Sequence, residues 1–143
     1  MDGIGDALAP SLRPGDFIAI TGPLGAGKSH LCRSIVRAFL QDPDAQVPSP
    51  SYTLINAYAM GDVEVWHSDL YRIADASELS ELGLDDPPAN VIVLIEWPER
   101  MSTPPSRRAQ ITISPQADDG RLLDLCFWGP GWENLRAQWS RLA

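Results

Sequence analysis

The sequence predicts a three-layer α/β domain around a mostly parallel sheet, ending in a β-hairpin and a helix. Three observations carry that reading. Residues 91–95, Val-Ile-Val-Leu-Ile, form an unbroken apolar run, β-branched at all but Leu94, the pattern of a strand buried on both faces of a parallel sheet. Residues 16–21, Asp-Phe-Ile-Ala-Ile-Thr, form a second short apolar strand that passes through a glycine-rich loop into a helical pattern. The 143 residues, 44% hydrophobic and 21% charged, have the size and composition of one ordinary globular domain, read here as 1–143.

The elements follow in order. A Pro14-Gly15 turn leads into strand 16–21, and residues 22–29 make the glycine-rich loop. A helix is predicted from about residue 29 to 40. Leu31, Cys32, Ile35, Val36, Phe39 and Leu40 recur at helical spacing, Arg33, Ser34 and Arg37 take the other face, and Asp42-Pro43 ends it. A proline- and serine-rich loop, 47–51, precedes a strand over 52–58. Residues 63–67 read as another strand, with Ser68-Asp69 at its end. Asp75 begins a short helix with Glu78 as its capping-box pair, and Gly83 marks the stop. Segments 109–114 and 121–127 flank an Asp119-Gly120 turn and read as a hairpin. Beyond Gly129-Pro130-Gly131, a last helix aligns Trp132, Leu135, Trp139 and Leu142 in a stripe read as core packing.

Composition excludes several classes. No apolar run approaches the roughly 18 residues of a membrane span. Residues 1–10 carry two aspartates and no basic residue, unlike a secretory or transit signal, so a cytoplasmic location is expected. Cys32 and Cys126 are too few and too far apart to suggest a disulfide scaffold or a zinc site, and both read as buried thiols. With 11 basic against 19 acidic residues and a net charge of −8, strong direct binding to nucleic acid is not expected. Ten of the basic residues are arginine, and Lys28 is the only lysine.

That lysine lies in Gly22-Pro23-Leu24-Gly25-Ala26-Gly27-Lys28-Ser29, which matches the P-loop pattern G-x-x-x-x-G-K-[ST] at every fixed position. Glycines let the backbone curl so that its N–H groups face phosphate oxygens, and the helix start adds partial positive charge. Lys28 reaches the β- and γ-phosphates, and the Ser29 hydroxyl is suited to magnesium. The expected fold is therefore that of P-loop NTPases, with ATP and Mg2+ as ligands. A guanine-reading N-K-x-D segment is impossible, because the single lysine follows Gly27.

Hydrolysis also needs a carboxylate near the metal. Glu96 follows the buried strand 91–95 and should emerge at its C-terminal end, where open α/β sheets bind ligands. Asp69 stands in the same relation to strand 63–67. An exposed strand end for Glu96 and a turn cap for Asp69 are the competing readings. His67 is either a proton carrier or a structural histidine, and Arg72 and Arg100 either touch phosphate or pair on the surface. Trp97, expected to be held extended by Pro98, is a pocket wall or plain packing. The hydroxyls of the loop 48–53 suit a γ-phosphate switch or a stiff connector.

Four blocks stand in order: GPLGAGKS, SPSYTLINAY, HSDLYR and IEWPER. Together they resemble the TsaE (YjeE) family of small bacterial ATPases of tRNA threonylcarbamoyladenosine synthesis, over roughly residues 3–127. The resemblance implies a Mg-dependent, weakly hydrolysing ATPase that supports the TsaB–TsaD complex without performing the transfer itself. It implies that Lys28 contacts phosphate, Ser29 ligates metal, and Glu96 and Asp69 are functional carboxylates beside magnesium. It assigns Ser51 and Thr53 to a switch-like loop and Trp97 to the acidic block. Gly22, Leu24, Gly25, Ala26, Gly27 and His30 complete the expected nucleotide-binding set. Ser29 and Ser51 stand where the family usually has threonine, and His30 replaces a commoner threonine or small residue. The family tends to carry a further segment before its first helix, whereas this chain begins almost inside that helix. From the residues alone, a small-molecule P-loop kinase and a nucleotide-gated binding module remain the alternatives.

Overall fold

The computed structural model describes residues 2–50, 54–73, 75 and 77–142. In chain order the elements are α1 (Asp2–Leu8), β1 (Phe17–Thr21), α2 (Lys28–Leu40), β2 (Ile55–Met60) and β3 (Val63–Asp69). They continue with α3 (Ser77–Leu82), β4 (Val91–Glu96), β5 (Arg108–Pro115), β6 (Arg121–Trp128) and α4 (Glu133–Leu142). Among the described residues the strands form one sheet in the order β2-β3-β4-β1-β5-β6. The four inner strands are parallel, and β2 and β6 pair antiparallel at the two edges. This is the mostly parallel α/β sheet, ending in hairpin and helix, that the sequence predicts.

Both faces of β4 are buried along its whole length, as its continuous apolar run requires. One face carries Ile18 and Ile20 of β1, Ile92 and Leu94 of β4, and Ala109, Ile111 and Ile113 of β5. It packs against Leu31, Ile35 and Val36 of α2 and against Trp132 and Leu135 at the α4 end. The other face carries Phe17, Ala19, Val91, Val93 and Ile95, covered by Leu70, Ile73, Leu79, Leu84 and Met101 from α3 and the neighbouring loops. α3 begins at Ser77 rather than Asp75: the Asp75 carboxylate accepts from the Ser77 N–H and its carbonyl from the Glu78 N–H, and Gly83 follows the helix at φ 79°. The entry to α4 is tied down by Arg107, which donates to Asp16, Pro130 and Gly131 and lies over the Trp132 ring.

Several expectations are corrected. β3 runs two residues further than predicted because its parallel ladder continues through Ser68↔Ile95 and Asp69↔Glu96. The strand expected at 52–58 is observed at Ile55–Met60, and residues 51–53, with the hydroxyls of Ser51 and Thr53, lie outside the described residues. Ser34, assigned to the polar face of α2, is buried because α1 crosses it at Gly5. Cys126 is exposed, since the helices cover only one side of edge strand β6 and Cys126 faces the other. The stripe of α4 is buried at Trp132 and Leu135 but fades to an exposed Leu142.

At Gly5 an added methyl would lie 2.6 Å from the Ser34 carbonyl oxygen and closer still to its hydroxyl. Overpacking of that kind costs about 1–3 kcal/mol. Gly5→Ala should therefore lower the midpoint of chemical denaturation by an amount corresponding to about that loss, whereas Gly3→Ala, with nothing within 4 Å, should not.

Candidate functional site

The parallel strands bring their C-terminal ends to one edge, and the phosphate loop leaves β1 there. The loop turns through residues that favour glycine: Gly25 has φ 80° and Gly27, at the N-cap of α2, has φ 108°. At Gly22 an added Cβ would lie 2.7 Å from the Ile113 carbonyl oxygen, so no larger residue fits against β5. Lys28 begins α2 and folds back over the loop, its Nζ donating to the carbonyls of Gly22 (2.7 Å) and Pro23 (2.8 Å). Burial lowers the Lys28 pKa, and the negative charges of Glu96, Glu99 and Asp69 oppose that shift.

Glu96, at the end of β4, is 1% exposed. One carboxylate oxygen, Oε1, accepts from Ser29 Oγ at 2.8 Å, and the other, Oε2, is 2.6 Å from His67 Nε2. The exposed strand-end alternative for Glu96 is therefore wrong. Asp69 is the register partner of Glu96 on β3, so the two carboxylates emerge side by side on one face. The Tyr71 N–H donates to Asp69 Oδ1 at 3.0 Å, a turn cap, while Asp69 also lines the cleft, so both readings of this residue hold geometrically. Burial pushes the Asp69 pKa up, the Tyr71 N–H opposes that shift, and the charge of Glu96 adds to it.

A cleft of about 400 Å3 gathers Leu24, Gly25, Gly27, Lys28, Ser29, His30, Asp69, Glu96 and Trp97, together with Tyr71 and Arg72. Gly22 and Ala26 do not line it. Gly22 offers its carbonyl to Lys28, and Ala26 is buried with its N–H donating to Pro23. Trp97 is not extended before Pro98 but left-handed (φ 60°, ψ 56°), which turns the chain into a 3-10 turn at Pro98–Arg100. That turn carries the indole over Lys28 Nζ, 4.3 Å from the ring centroid, and against Tyr71.

These donors suit a magnesium–nucleotide complex. A serine hydroxyl has one hydrogen and two lone pairs, so Ser29 can donate to Glu96 and still face a cation. Two neighbouring carboxylates favour a cation between them, and the glycine loop leaves its backbone open to phosphate.

Three groups escaped the sequence reading. Thr21 donates to Glu99 Oε1 at 2.7 Å beside the loop. Tyr71 adds its ring beneath Trp97. Arg121, at the start of β6, donates through Nε to the Ala26 carbonyl at 2.9 Å and through Nη1 to Asp119 and Gly120, clamping the hairpin turn to the phosphate loop. Glu99 and Tyr71 stood inside the IEWPER and HSDLYR blocks and could have been found there. Arg121 is separated from Ala26 by 95 residues and carried no local signal. Of the three bonds that Arg121→Ala removes, one reaches the phosphate loop, worth about 1 kcal/mol at this exposed residue. Amide hydrogen exchange over residues 22–27 should be several-fold faster in Arg121→Ala than in the wild type, with Arg121→Lys between the two.

The family model described as threonylcarbamoyl adenosine biosynthesis protein TsaE matches residues 1–123. A Rickettsia felis protein, tRNA threonylcarbamoyladenosine biosynthesis protein TsaE, is 37% identical over 101 residues. That match spans 68% of this chain but only 58% of the Rickettsia protein. A Bacillus subtilis protein of the same name is 32% identical over 140 residues, 96% of this chain and 86% of its own. The crystal structure of Bacillus subtilis YdiB aligns with a TM-score of 0.70 at 28% identity, covering 99% of this chain and 87% of that one. The chain belongs to the TsaE family, P-loop proteins of tRNA threonylcarbamoyladenosine biosynthesis.

Proposed function

We propose that the chain binds ATP with magnesium, hydrolyses it weakly when alone, and supports the TsaB–TsaD complex in making N6-threonylcarbamoyladenosine in tRNA. The observation that carries this reading is the Lys28–Ser29–Glu96 constellation at the mouth of the phosphate loop, with Asp69 alongside. Family membership supports the pathway, and the net charge of −8 fits docking on a protein rather than directly on tRNA. A cytoplasmic location goes with this role. Among the described residues, no helix is long and apolar enough to cross a membrane.

Magnesium, when bound, supplies positive charge against the charge that builds on the terminal phosphate. Lys28 exchanges its bonds to Gly22 and Pro23 for phosphate oxygens, a swap of one set of carbonyl acceptors for stronger anionic ones. Ser29, its hydroxyl donating to Glu96, would offer its lone pairs to the cation. Glu96 has both oxygens engaged and so works by aiming the Ser29 hydroxyl rather than as a base toward water. Asp69, with Oδ1 held by Tyr71, has Oδ2 for the cation's water shell. Trp97 covers the Lys28 ammonium and keeps bulk water from that side.

Purified protein should hydrolyse ATP slowly, and the matching TsaB–TsaD complex should stimulate it. Absence of both stimulation and complex formation would remove the pathway reading, and absence of ATP binding would remove the nucleotide reading. Lys28→Ala should weaken ATP binding by about 10- to 100-fold through loss of its charged hydrogen bonds. Glu96→Gln should keep ATP binding while lowering turnover by about 10- to 100-fold, the usual effect of losing an outer carboxylate that aims a metal ligand. Unchanged output of modified tRNA with Glu96→Gln would instead favour a nucleotide-gated binding module.

A further inference from the structure

Beneath the cleft, on the buried side of Glu96, lies a cluster of which the ATP reading uses only Glu96. Cys32 of α2, His67 of β3 and Glu96 of β4 each bring one donor atom to within 4.8 Å of the others, and all three residues are buried. The set is sulfur, nitrogen and oxygen, the combination that borderline divalent ions such as zinc take and that magnesium does not favour. His67 also has a coordination valence to spare: its Nδ1 is buried and without a hydrogen-bond partner.

We propose that Cys32, His67 and Glu96 form a second cation site, for an ion of the zinc class, which shares the Glu96 carboxylate with Ser29. Ligand atoms on one tetrahedral zinc lie about 3.5 Å apart, so binding needs shifts of about 1 Å, with Cys32 closing in and the 2.6 Å His67–Glu96 pair opening. The Cys32 thiol loses its proton to solvent, and a thiolate and a carboxylate together balance the dication, leaving the buried site neutral. The imidazole binds in its neutral form through whichever nitrogen lacks the proton. Burial pushes the Cys32 thiol up, with Glu96 and Asp69 adding to the shift, so in the metal-free protein it stays protonated and becomes a ligand only against a cation's charge. Glu96 is the one member of the cluster that also lines the cleft. The coupling follows from Glu96 alone. Glu96 keeps Oε1 on the Ser29 hydroxyl and gives Oε2 to the ion held by Cys32 and His67, so two cations draw on the charge of one carboxylate and each weakens the other's hold on it. The competition between the two sites rests on the proposed ATPase; the existence of the second site does not.

The test uses the full chain with cobalt(II) as the spectroscopic stand-in, added without nucleotide. Wild-type protein should develop the charge-transfer absorption of a cobalt thiolate at one equivalent, and zinc should displace it. Cys32→Val, close in volume and set in an apolar surround, should lose the band, while Cys126→Ser should keep it. No band in the wild type, or a band that survives Cys32→Val and vanishes with Cys126→Ser, would overturn the site. In a second arm, zinc should inhibit Mg-ATP hydrolysis at concentrations at least about tenfold lower for wild type than for Cys32→Val, one ligand's worth of affinity. Equal sensitivity of the two would overturn the competition for Glu96. A wild type without turnover would sink the proposed function and leave the cobalt result to decide the site.

Discussion

A carboxylate with 1% exposure at the end of a strand buried on both faces is the constraint around which this molecule is arranged. Leaving such a group unpaired costs several kcal/mol. Glu96 avoids that cost because its two oxygens are met from two different elements, Ser29 on α2 and His67 on β3. Meeting them requires the loop 22–27 to turn tightly enough to start α2 beneath β4. It also requires β3 to hold its register against β4. A slip of one residue in β3 would send His67 and Asp69 to the opposite face together. The chemistry of the cleft and the pairing of the sheet are thus satisfied by one arrangement.

The rest of the fold serves that arrangement unevenly. The α2 side of the sheet is covered by three helices, whereas the other side has the short α3 and loops rich in proline. Arg107 joins the start of β1 to the entry of α4 through Asp16, and Arg121 joins the far hairpin to the phosphate loop. With Lys28 the only lysine, every such long-range clamp is an arginine. The planar guanidinium lets each one bind two or three carbonyls from different segments at once.

Much of this was legible in the residues. The phosphate loop, the buried strand 91–95 and the hairpin about Asp119-Gly120 each carry a local signature, since glycine conformation, β-branched runs and turn chemistry act within a few residues. Glu96 and Asp69 could be placed because strand ends are readable. What could not be read depends on pairing across the chain. The two extra residues of β3 come from its ladder with β4. The burial of Ser34 comes from a glycine in α1, and the exposure of Cys126 from the lack of a helix over one side of β6. Trp97 is instructive in the same way. Proline favours an extended residue before it, yet Trp97 is left-handed, a conformation that goes with the ring's place over Lys28, a contact no local pattern shows.

The solitary lysine has a consequence for the protein's life in a cell. Apart from the chain's own α-amino group, every enzyme or metabolite that acylates amines has one side-chain target here. That target is 5% exposed with its ammonium held by two carbonyls and an indole ring. A tag attached through lysine cannot be added elsewhere on the surface as a neutral mark. It must enter the phosphate loop and abolish the charge the loop is built around, so lysine acylation and an intact phosphate loop are mutually exclusive states of this chain.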